Sequence, residues 1–191
     1  MSFSDIYGHE KQIVILKQAM SQNRVGHAYL FSGPNAVGKK TVALEFALAL
    51  NCEKAQEKID SCGECSSCLK IKHNNHPDIF FVEAEGQFIR INAIREIQEQ
   101  MTFKPMEGKR RVFIINDADK MNDTAANALL KSLEEPSPCN ILILVTDRPY
   151  TMPATIISRC NHMRFNPLKI DTVSQFLIAR ADMEKQKAFL L

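Results

Sequence analysis

The 191-residue chain has no tryptophan, only seven glycines and almost no excess charge of either sign. Its 24 basic and 22 acidic residues give a net charge of +2, which argues against strong attraction of nucleic acid to the isolated chain. Apolar runs stay below the roughly 18 residues that a membrane helix needs, so we expect no membrane partner. The N-terminus has no apolar signal core, and we expect a cytoplasmic protein with reduced thiols.

What the chain does contain is an alternation of strand-like and helix-like segments. A hydrophobic fraction of 45% is enough for one domain with a real core. The candidate strands are apolar throughout and alternate with segments of helical spacing, which is typical of a parallel α/β sheet covered on both faces. The predicted strands are 27–33, 78–86, 111–117, 139–149 and 162–167.

The segment after the first strand nearly matches a phosphate-binding loop, G-x-x-x-x-G-K-[ST]. Gly33, Gly38 and Lys39 are in place, but Lys40 stands where the hydroxyl residue should be. Thr41 comes one residue later, about 100° further round the following helix. Its hydroxyl therefore cannot take the usual magnesium position, although the loop amides and Lys39 can still hold phosphate.

A second motif bears on the same chemistry. A working phosphate loop needs a neighbouring strand that ends in an acidic pair, one carboxylate for magnesium and one for the attacking water. Here the third strand ends in Asn116 and Asp117, an uncharged amide and a shorter carboxylate. Because both magnesium-serving positions are altered together, we expect ATP or ADP binding to be weak or absent and hydrolysis to be lost.

Four cysteines form one cluster, C-x9-C-x2-C-x2-C, at Cys52, Cys62, Cys65 and Cys68. Two disulfides or four unrelated thiols are the alternatives, but a reducing compartment disfavours the first and the tight spacing disfavours the second. Four thiolates with no open position suit a structural Zn²⁺ site rather than a catalytic one.

Three further interpretations concern isolated residues. Cys139 and Cys160 stand apart from the cluster and are interpreted as small buried residues. The basic triplet 109–111 is interpreted as a solvated edge. Glu134 and Glu135 are adjacent on a helix, where neighbours in sequence do not face each other, and are interpreted as surface or interface groups.

Taken in order, five features resemble those of bacterial replicative clamp loaders. They are the first strand, the altered loop, the four cysteines and the segments NALLKSLEEPS and ISRC. The resemblance covers 3–166 and implies an AAA+ P-loop NTPase-type fold with a five-stranded parallel sheet flanked by helices. The domain organisation implied is an AAA+ module over 1–167, a zinc module inserted at about 52–74, and the truncated start of a helical lid over 168–191.

Within that family, the sequence looks more like the delta-prime branch than the gamma/tau motor. The motor carries an intact G-K-T loop and an Asp-Glu pair, and this chain departs from both at Lys40, Asn116 and Asp117. The resemblance implies a stator-like subunit of the DNA polymerase III holoenzyme, without ATPase activity of its own. The implied partners are the gamma/tau and delta subunits, with the sliding clamp and primed-template DNA reached through the assembly.

The resemblance also assigns roles to two residues near the end of the module. The Ser-Arg-Cys motif of clamp loaders presents its arginine to the nucleotide of the neighbouring subunit, which implies that Arg159 is an arginine finger acting in trans. Thr146 matches the position that senses the γ-phosphate, with capping of its strand as the alternative.

Two other function classes stay open at this point. One is an ATP-hydrolysing motor subunit or stand-alone AAA+ enzyme. The other is a zinc-dependent nucleic-acid-binding module, although the region around the cysteines has lysines but no aromatic residues on which bases could stack.

Overall fold

The computed structural model describes residues 2–55 and 59–181. None of the helices in this part of the chain combines the length and apolar character that a bilayer crossing requires. The end of the predicted lid, 182–191, lies outside the described residues, as do residues 56–58 of the predicted zinc module.

One parallel sheet forms the centre of the described part of the chain. Its strands are β1 Ala28–Ser32, β2 Ile79–Val82, β3 Arg111–Ile115, β4 Asn140–Thr146 and β5 Asn161–Arg164. All pairings are parallel, and the order across the sheet is β2-β3-β4-β1-β5. The prediction of a five-stranded parallel sheet is therefore confirmed, and the carboxyl ends of all five strands meet at one edge.

Helices cover both faces of this sheet. They are α1 Glu10–Ser21, α2 Lys39–Asn51, α3 Ser66–Lys72, α4 Ile91–Met101, α5 Asp123–Glu134, α6 Ala154–Ile157 and α7 Ile170–Ala181. Helices α1 and α2 bury their apolar side chains against one face, whereas α4, α5 and α6 pack on the other. One apolar layer thus lies on each side of the sheet.

Local signals in the sequence explain where individual helices form. In α4, Ile94 and Ile97 keep helical spacing and are both buried. Helix α5 begins after Asn122, whose side chain accepts a hydrogen bond from the amide of Ala125 at 2.9 Å. It ends shortly before Pro136, which cannot continue a helix.

The prediction of a solvated edge for the basic triplet is wrong for Arg111, whereas Lys109 is exposed and Arg110 is half-buried. Arg111 begins β3 with only 2% of its surface exposed, and its Nε lies 3.4 Å from Oδ1 of the fully buried Asp78. Its guanidinium also packs over the ring of Phe80, 4.9 Å from the centroid. The Asp78 carboxylate accepts the backbone amides of residues 106–108, and these lower its pKa although burial alone raises it. Arg111 and Asp78 together therefore anchor this loop to the sheet.

The remaining interpretations of isolated residues have mixed outcomes. Cys139 and Cys160 are half-buried rather than buried: each lies in a connection directly before a strand, and Cys160 packs at the margin of the apolar layer of α4, α5 and α6. Glu134 and Glu135 are exposed, as expected for surface groups.

Candidate functional site

The loop between β1 and α2 has the close packing of a phosphate-binding loop. Gly33 has φ 152°, and a Cβ placed on it would lie 2.2 Å from the carbonyl oxygen of Phe165, so a side chain cannot be accommodated. Gly38, with φ 100°, precedes the first turn of α2. His9, which sequence reasoning missed, contacts the carbonyl of Val37 through Nε2 at 2.6 Å and packs edge-on against Phe165.

All of the predicted nucleotide residues except Gly33 line one cavity of about 270 Å³ at the carboxyl edge of the sheet. The structure brings together the loop, the end of β3 and the end of β4, which are far apart in the sequence. The lining includes Gly38, Lys39, Lys40, Thr41, Asn116, Asp117 and Thr146, together with Asp147.

Lys39 is turned back onto its own loop. Its Nζ donates to the carbonyl oxygens of Gly33 at 2.9 Å and Pro34 at 2.6 Å. Burial lowers the pKa of Lys39, and the carboxylates of Asp147 and Asp117 oppose that effect. The lysine that would meet phosphate is therefore held by backbone oxygens and faces negative charge.

Two of the three altered residues, Lys40 and Asp117, have a charged partner within the chain. Lys40 forms an ion pair with Glu83, which follows β2. Asp117 lies 2.9 Å from Nζ of Lys120 and has a left-handed backbone at φ 51°. The position expected to hold magnesium is Asn116, and its amide carries no charge to attract the ion.

Thr146 is also engaged. Its hydroxyl donates to Oδ1 of Asp119 at 2.6 Å and accepts the amide of Arg148 at 2.9 Å. Those two bonds fit the alternative role of capping the end of β4. Asp147 and Glu83 were missed from sequence, although each follows a strand whose carboxyl end meets the others at this edge, and that signal could have found them.

Arg159 lies on the surface, outside the residues that line the cavity. Its Nη2 is 2.8 Å from Oε1 of Glu134, and its Nη1 donates to the carbonyl of Thr155 at 3.0 Å. Both side chains are partly exposed, with 37% of Arg159 and 51% of Glu134 accessible. The guanidinium is therefore presented outward while paired with a carboxylate of the same chain.

The four predicted cysteines converge at the opposite end of α2. Cys52 directly follows that helix, Cys65 precedes α3 and Cys68 lies within it. The four sulfur atoms all lie within 4.8 Å of one another. A tetrahedral zinc with Zn–S bonds of about 2.3 Å needs sulfurs about 3.8 Å apart, so a small contraction suffices. The donor set and spacing fit a closed, all-thiolate metal site.

Backbone amides already point at these sulfurs. The amide of Cys62 donates to Sγ of Cys52 at 3.3 Å, and the amide of Cys65 donates to Sγ of Cys62 at 3.3 Å. Burial alone raises the pKa of Cys62, but the amides of Glu64 and Cys65 lower it to about 7. His76 lies outside the cluster, with Nε2 3.2 Å from the hydroxyl of Ser67.

Comparison with known proteins identifies the family. The protein family described as DNA polymerase III, delta subunit, matches residues 8–169. The chain belongs to this family. It is 35% identical over 177 residues to the delta' subunit of DNA polymerase III from Bacillus subtilis, covering 93% of this chain. It is 37% identical over 178 residues to the tau subunit from the same organism, again over 93% of this chain.

Solved structures show the same fold. A DNA polymerase III gamma subunit-related protein from Thermotoga maritima matches 94% of this chain and 58% of its own, with a TM-score of 0.57 and 23% identity. The Holliday junction branch migration motor RuvB from Thermotoga maritima matches 98% of this chain and 56% of its own, with a TM-score of 0.63 and 14% identity. This chain therefore shares the fold of these two proteins.

The chain spans only part of the curated relatives. It covers 53% of the delta' subunit and 31% of the tau subunit from Bacillus subtilis. Similarity alone therefore does not assign the functions of those whole proteins to this chain. Any proposed function depends on the residues of its pocket and surface.

Proposed function

We propose that the chain is the AAA+ module of a delta-prime-type clamp-loader subunit that does not hydrolyse ATP itself. In the assembly, which would include gamma/tau and delta subunits, it supplies Arg159 to the nucleotide of a neighbouring subunit. The assembly would place a sliding clamp on primed-template DNA. Membership of the DNA polymerase III family supports the assignment to a clamp-loader assembly. The residues of the nucleotide pocket support the absence of ATP hydrolysis.

The observation that carries the proposal is that two positions in this cavity where magnesium ligands are expected hold other groups. Lys40 occupies the hydroxyl position and pairs with Glu83, while the amide of Asn116 occupies the carboxylate position. Magnesium requires near-octahedral oxygen ligation and is held in such pockets by a hydroxyl and a carboxylate. A pocket without that pair lacks the seat for the metal ion that would neutralise charge on a transferring phosphoryl group.

Overall similarity does not separate the two subunit types. Identity to the delta' subunit is 35% and to the tau subunit 37%, over nearly the same length. The choice therefore depends on the three altered pocket residues. An active gamma/tau-type motor is the second candidate, and the high identity to tau is the observation in its favour.

The surroundings of Arg159 are compatible with action in trans. An exposed ion pair contributes only about 0–1 kcal/mol, so the contact with Glu134 can be exchanged cheaply for a phosphate. Guanidinium is planar, permanently charged and suited to phosphoryl oxygens. Removing such a finger reduces the rate at its target site by about 10³-fold or more.

The four clustered cysteines would hold a structural Zn²⁺. Bound there, the ion would stabilise the fold of the inserted module and supply no catalytic chemistry, because four thiolates leave no open position. The chain's own contribution is to bring the end of α2 and the start of α3 together around the sulfurs.

Reconstitution of the full-length protein with the gamma/tau and delta subunits tests the finger. With Arg159→Ala, we expect the assembly to form normally, as measured by size-exclusion chromatography, while its ATPase loses the share of turnover from the neighbouring site. Arg24→Ala, which removes another exposed arginine, should leave the rate unchanged. An unchanged ATPase with Arg159→Ala would remove the finger assignment.

A separate assay on the full-length subunit alone distinguishes the motor alternative. We expect no magnesium-dependent ATP hydrolysis above background. Turnover by the subunit alone, abolished by Lys39→Ala, would establish a motor and overturn the proposal.

A further inference from the structure

The two outer strands of the sheet differ in chemistry. Over the described residues, β2 and β5 are the edges. Edge β5 exposes Asn161, His162 and Arg164, and its last carbonyl accepts a hydrogen bond from the side chain of Gln12 at 2.6 Å. Edge β2 consists of the apolar residues 79–82, each of them half-buried. Proteins normally protect sheet edges with charge or cover, so an apolar open edge suggests a partner.

Backbone groups along the outer side of β2 are available for pairing. In the ladder with β3, the carbonyl of Asp78 accepts the amide of Val112 at 2.9 Å. Four residues later the carbonyl of Val82 accepts the amide of Asn116, also at 2.9 Å. Because hydrogen-bonding direction alternates along a strand, Phe81 turns both its N–H and its C=O away from β3.

The outer edge of β2 opens into a groove of about 980 Å³ with two walls of opposite charge. The wall from α2 and α3 carries Lys40, Leu44 and Lys72, and the wall from α4 carries Glu96 and Glu99. Both glutamates are exposed, so their charges face the groove and solvent.

The lysine wall retains a positive charge that is open to an acidic group. Lys40 is already paired with Glu83 at one end of the groove. Lys72 donates to the carbonyl of Gly63 at 2.8 Å, a contact with a neutral oxygen that leaves the charge in place. Lys72 is therefore the main cation available on this wall.

The side chains of β2 alternate between the two walls of the groove. Ile79 and Phe81 pack with the apolar layer of α2, whereas Phe80 and Val82 pack with the layer of α4. A strand added alongside β2 would alternate in the same way. Every second side chain would then face the lysine wall, and the others would face the glutamate wall.

We infer that the outer edge of β2 binds an extended peptide segment of another protein as an added strand, with acidic side chains facing α2 and α3 and basic side chains facing α4. Main-chain hydrogen bonds to Phe81 provide the affinity of such an addition, and the two charged walls provide its selectivity. The aliphatic stems of long charged side chains cover the half-exposed apolar residues of β2.

A second copy of this chain is a poorer occupant. If β2 paired with β2 of another molecule, it would place the side chains of 79–82 against both walls. Those side chains carry no charge to meet Lys72 on one wall or Glu96 and Glu99 on the other. An alternating charged segment satisfies both walls at once. This inference is independent of the proposed role as a clamp-loader subunit that does not hydrolyse ATP.

A synthetic peptide tests the inference on the full-length protein. The probe is a capped, fluorescein-labelled eight-residue peptide in which Glu and Arg alternate. The control peptide has the same composition in two blocks, four Glu followed by four Arg. Fluorescence anisotropy should show that the alternating peptide binds at least about tenfold more tightly, because only it presents one charge to each wall.

Matched variants locate the binding on the backbone edge. Phe81→Pro and Phe81→Ala both remove the ring, but only proline removes the outward N–H, and edge strands tolerate proline. We expect Phe81→Ala to keep binding and Phe81→Pro to lose it. The double variant Glu96→Lys with Glu99→Lys should weaken binding by about tenfold, through repulsion of the basic side chains.

Hydrogen exchange provides a readout that does not depend on folding of the proline variant. Binding of the alternating peptide to the wild-type protein should slow exchange of the Phe81 amide. Unchanged exchange at Phe81, equal binding by the block peptide, or equal binding by the two Phe81 variants would each overturn the inference. So would a dimer, seen by sedimentation, that Phe81→Pro abolishes and the peptide does not displace.

Discussion

The two ends of helix α2 carry the two predicted sites, and they differ in how far their groups are committed to other contacts. At the first end, Lys39 is bonded to loop carbonyls and Lys40 to Glu83, so both side chains are already engaged within the chain. At the last end, the sulfur of Cys52 meets three others within 4.8 Å. At the first end of α2, the charged side chains of the pocket are thus bonded to other groups of the chain. At the last end, the four cysteine sulfurs converge on one point.

The difference shows that the residues that set the backbone path of a motif can be kept while the residues that perform its chemistry are replaced. The loop keeps the glycines that its backbone path requires, because Gly33 lies too close to Phe165 for any side chain. The path of the loop therefore depends on packing. Magnesium binding would instead require a hydroxyl residue in place of Lys40 and a carboxylate in place of Asn116. The proposed metal site has no such separation, since the same four side chains would provide both the fold of the module and the ligands.

The largest expected effect is at the cysteine end. Cys68→Ser removes a fully buried sulfur, and we expect zinc to fall from one ion per chain to none, with a loss of several kcal/mol in the free energy of unfolding. Inductively coupled plasma mass spectrometry and thermal melting measure both. Cys139→Ser, at a half-buried cysteine outside the cluster, is the control and should keep the metal. Full zinc content in Cys68→Ser would show that the cluster is not the site.

The next effect lies in the middle of α2, at Glu45. This carboxylate is 1% exposed, and neither of its oxygens has a hydrogen-bond partner within the part of the chain that the structure describes. Burial raises its pKa from 4.5 to about 7. Because the folded protein holds the proton more tightly than the unfolded chain, this contribution to stability is present below about pH 4.5 and lost as the pH rises to about 7.

The substitution Glu45→Gln removes that titration. We expect the variant to gain about 2–3 kcal/mol over wild type at pH 8 and little at pH 4.5, which urea unfolding at both values measures. Glu96→Gln, at an exposed glutamate, should not change the pH dependence. An identical pH dependence in wild type and Glu45→Gln would show that the carboxylate is ionised and solvated in the folded protein.

A smaller effect is expected at the loop end, when the magnesium groups are restored. Wild-type protein should bind ATP equally weakly with magnesium and with EDTA, in a fluorescence titration. The triple variant Lys40→Thr, Asn116→Asp and Asp117→Glu should bind at least about tenfold more tightly with magnesium, about 1.4 kcal/mol. Lys40→Ala alone removes only an exposed ion pair and should leave both affinity and stability nearly unchanged. Magnesium-dependent ATP binding by the wild type would contradict the proposal that this pocket has no magnesium site.

Much of the fold could be predicted because its signals are local. Continuous apolar runs marked the central strands, and Asn122 with Pro136 marked the two ends of one helix. Contacts between distant segments could not be predicted in this way. Arg111 looked like a solvated charge in a basic triplet, but the loop at 106–108 folds back with Asp78 to bury it. A pattern of charges along the chain carries no information about which carboxylate arrives from elsewhere.

By itself, the sequence determined the α/β fold class, the altered loop and the spacing of the four cysteines, because these depend on residue type and local periodicity. Only the tertiary structure decided which polar groups pair: Lys40 with Glu83, Arg159 with Glu134 and Thr146 with Asp119. It also decided that β2 is an open edge between two oppositely charged walls. The physical reason is that electrostatic and hydrogen-bond partners are chosen by distance in space, which the order of residues does not specify.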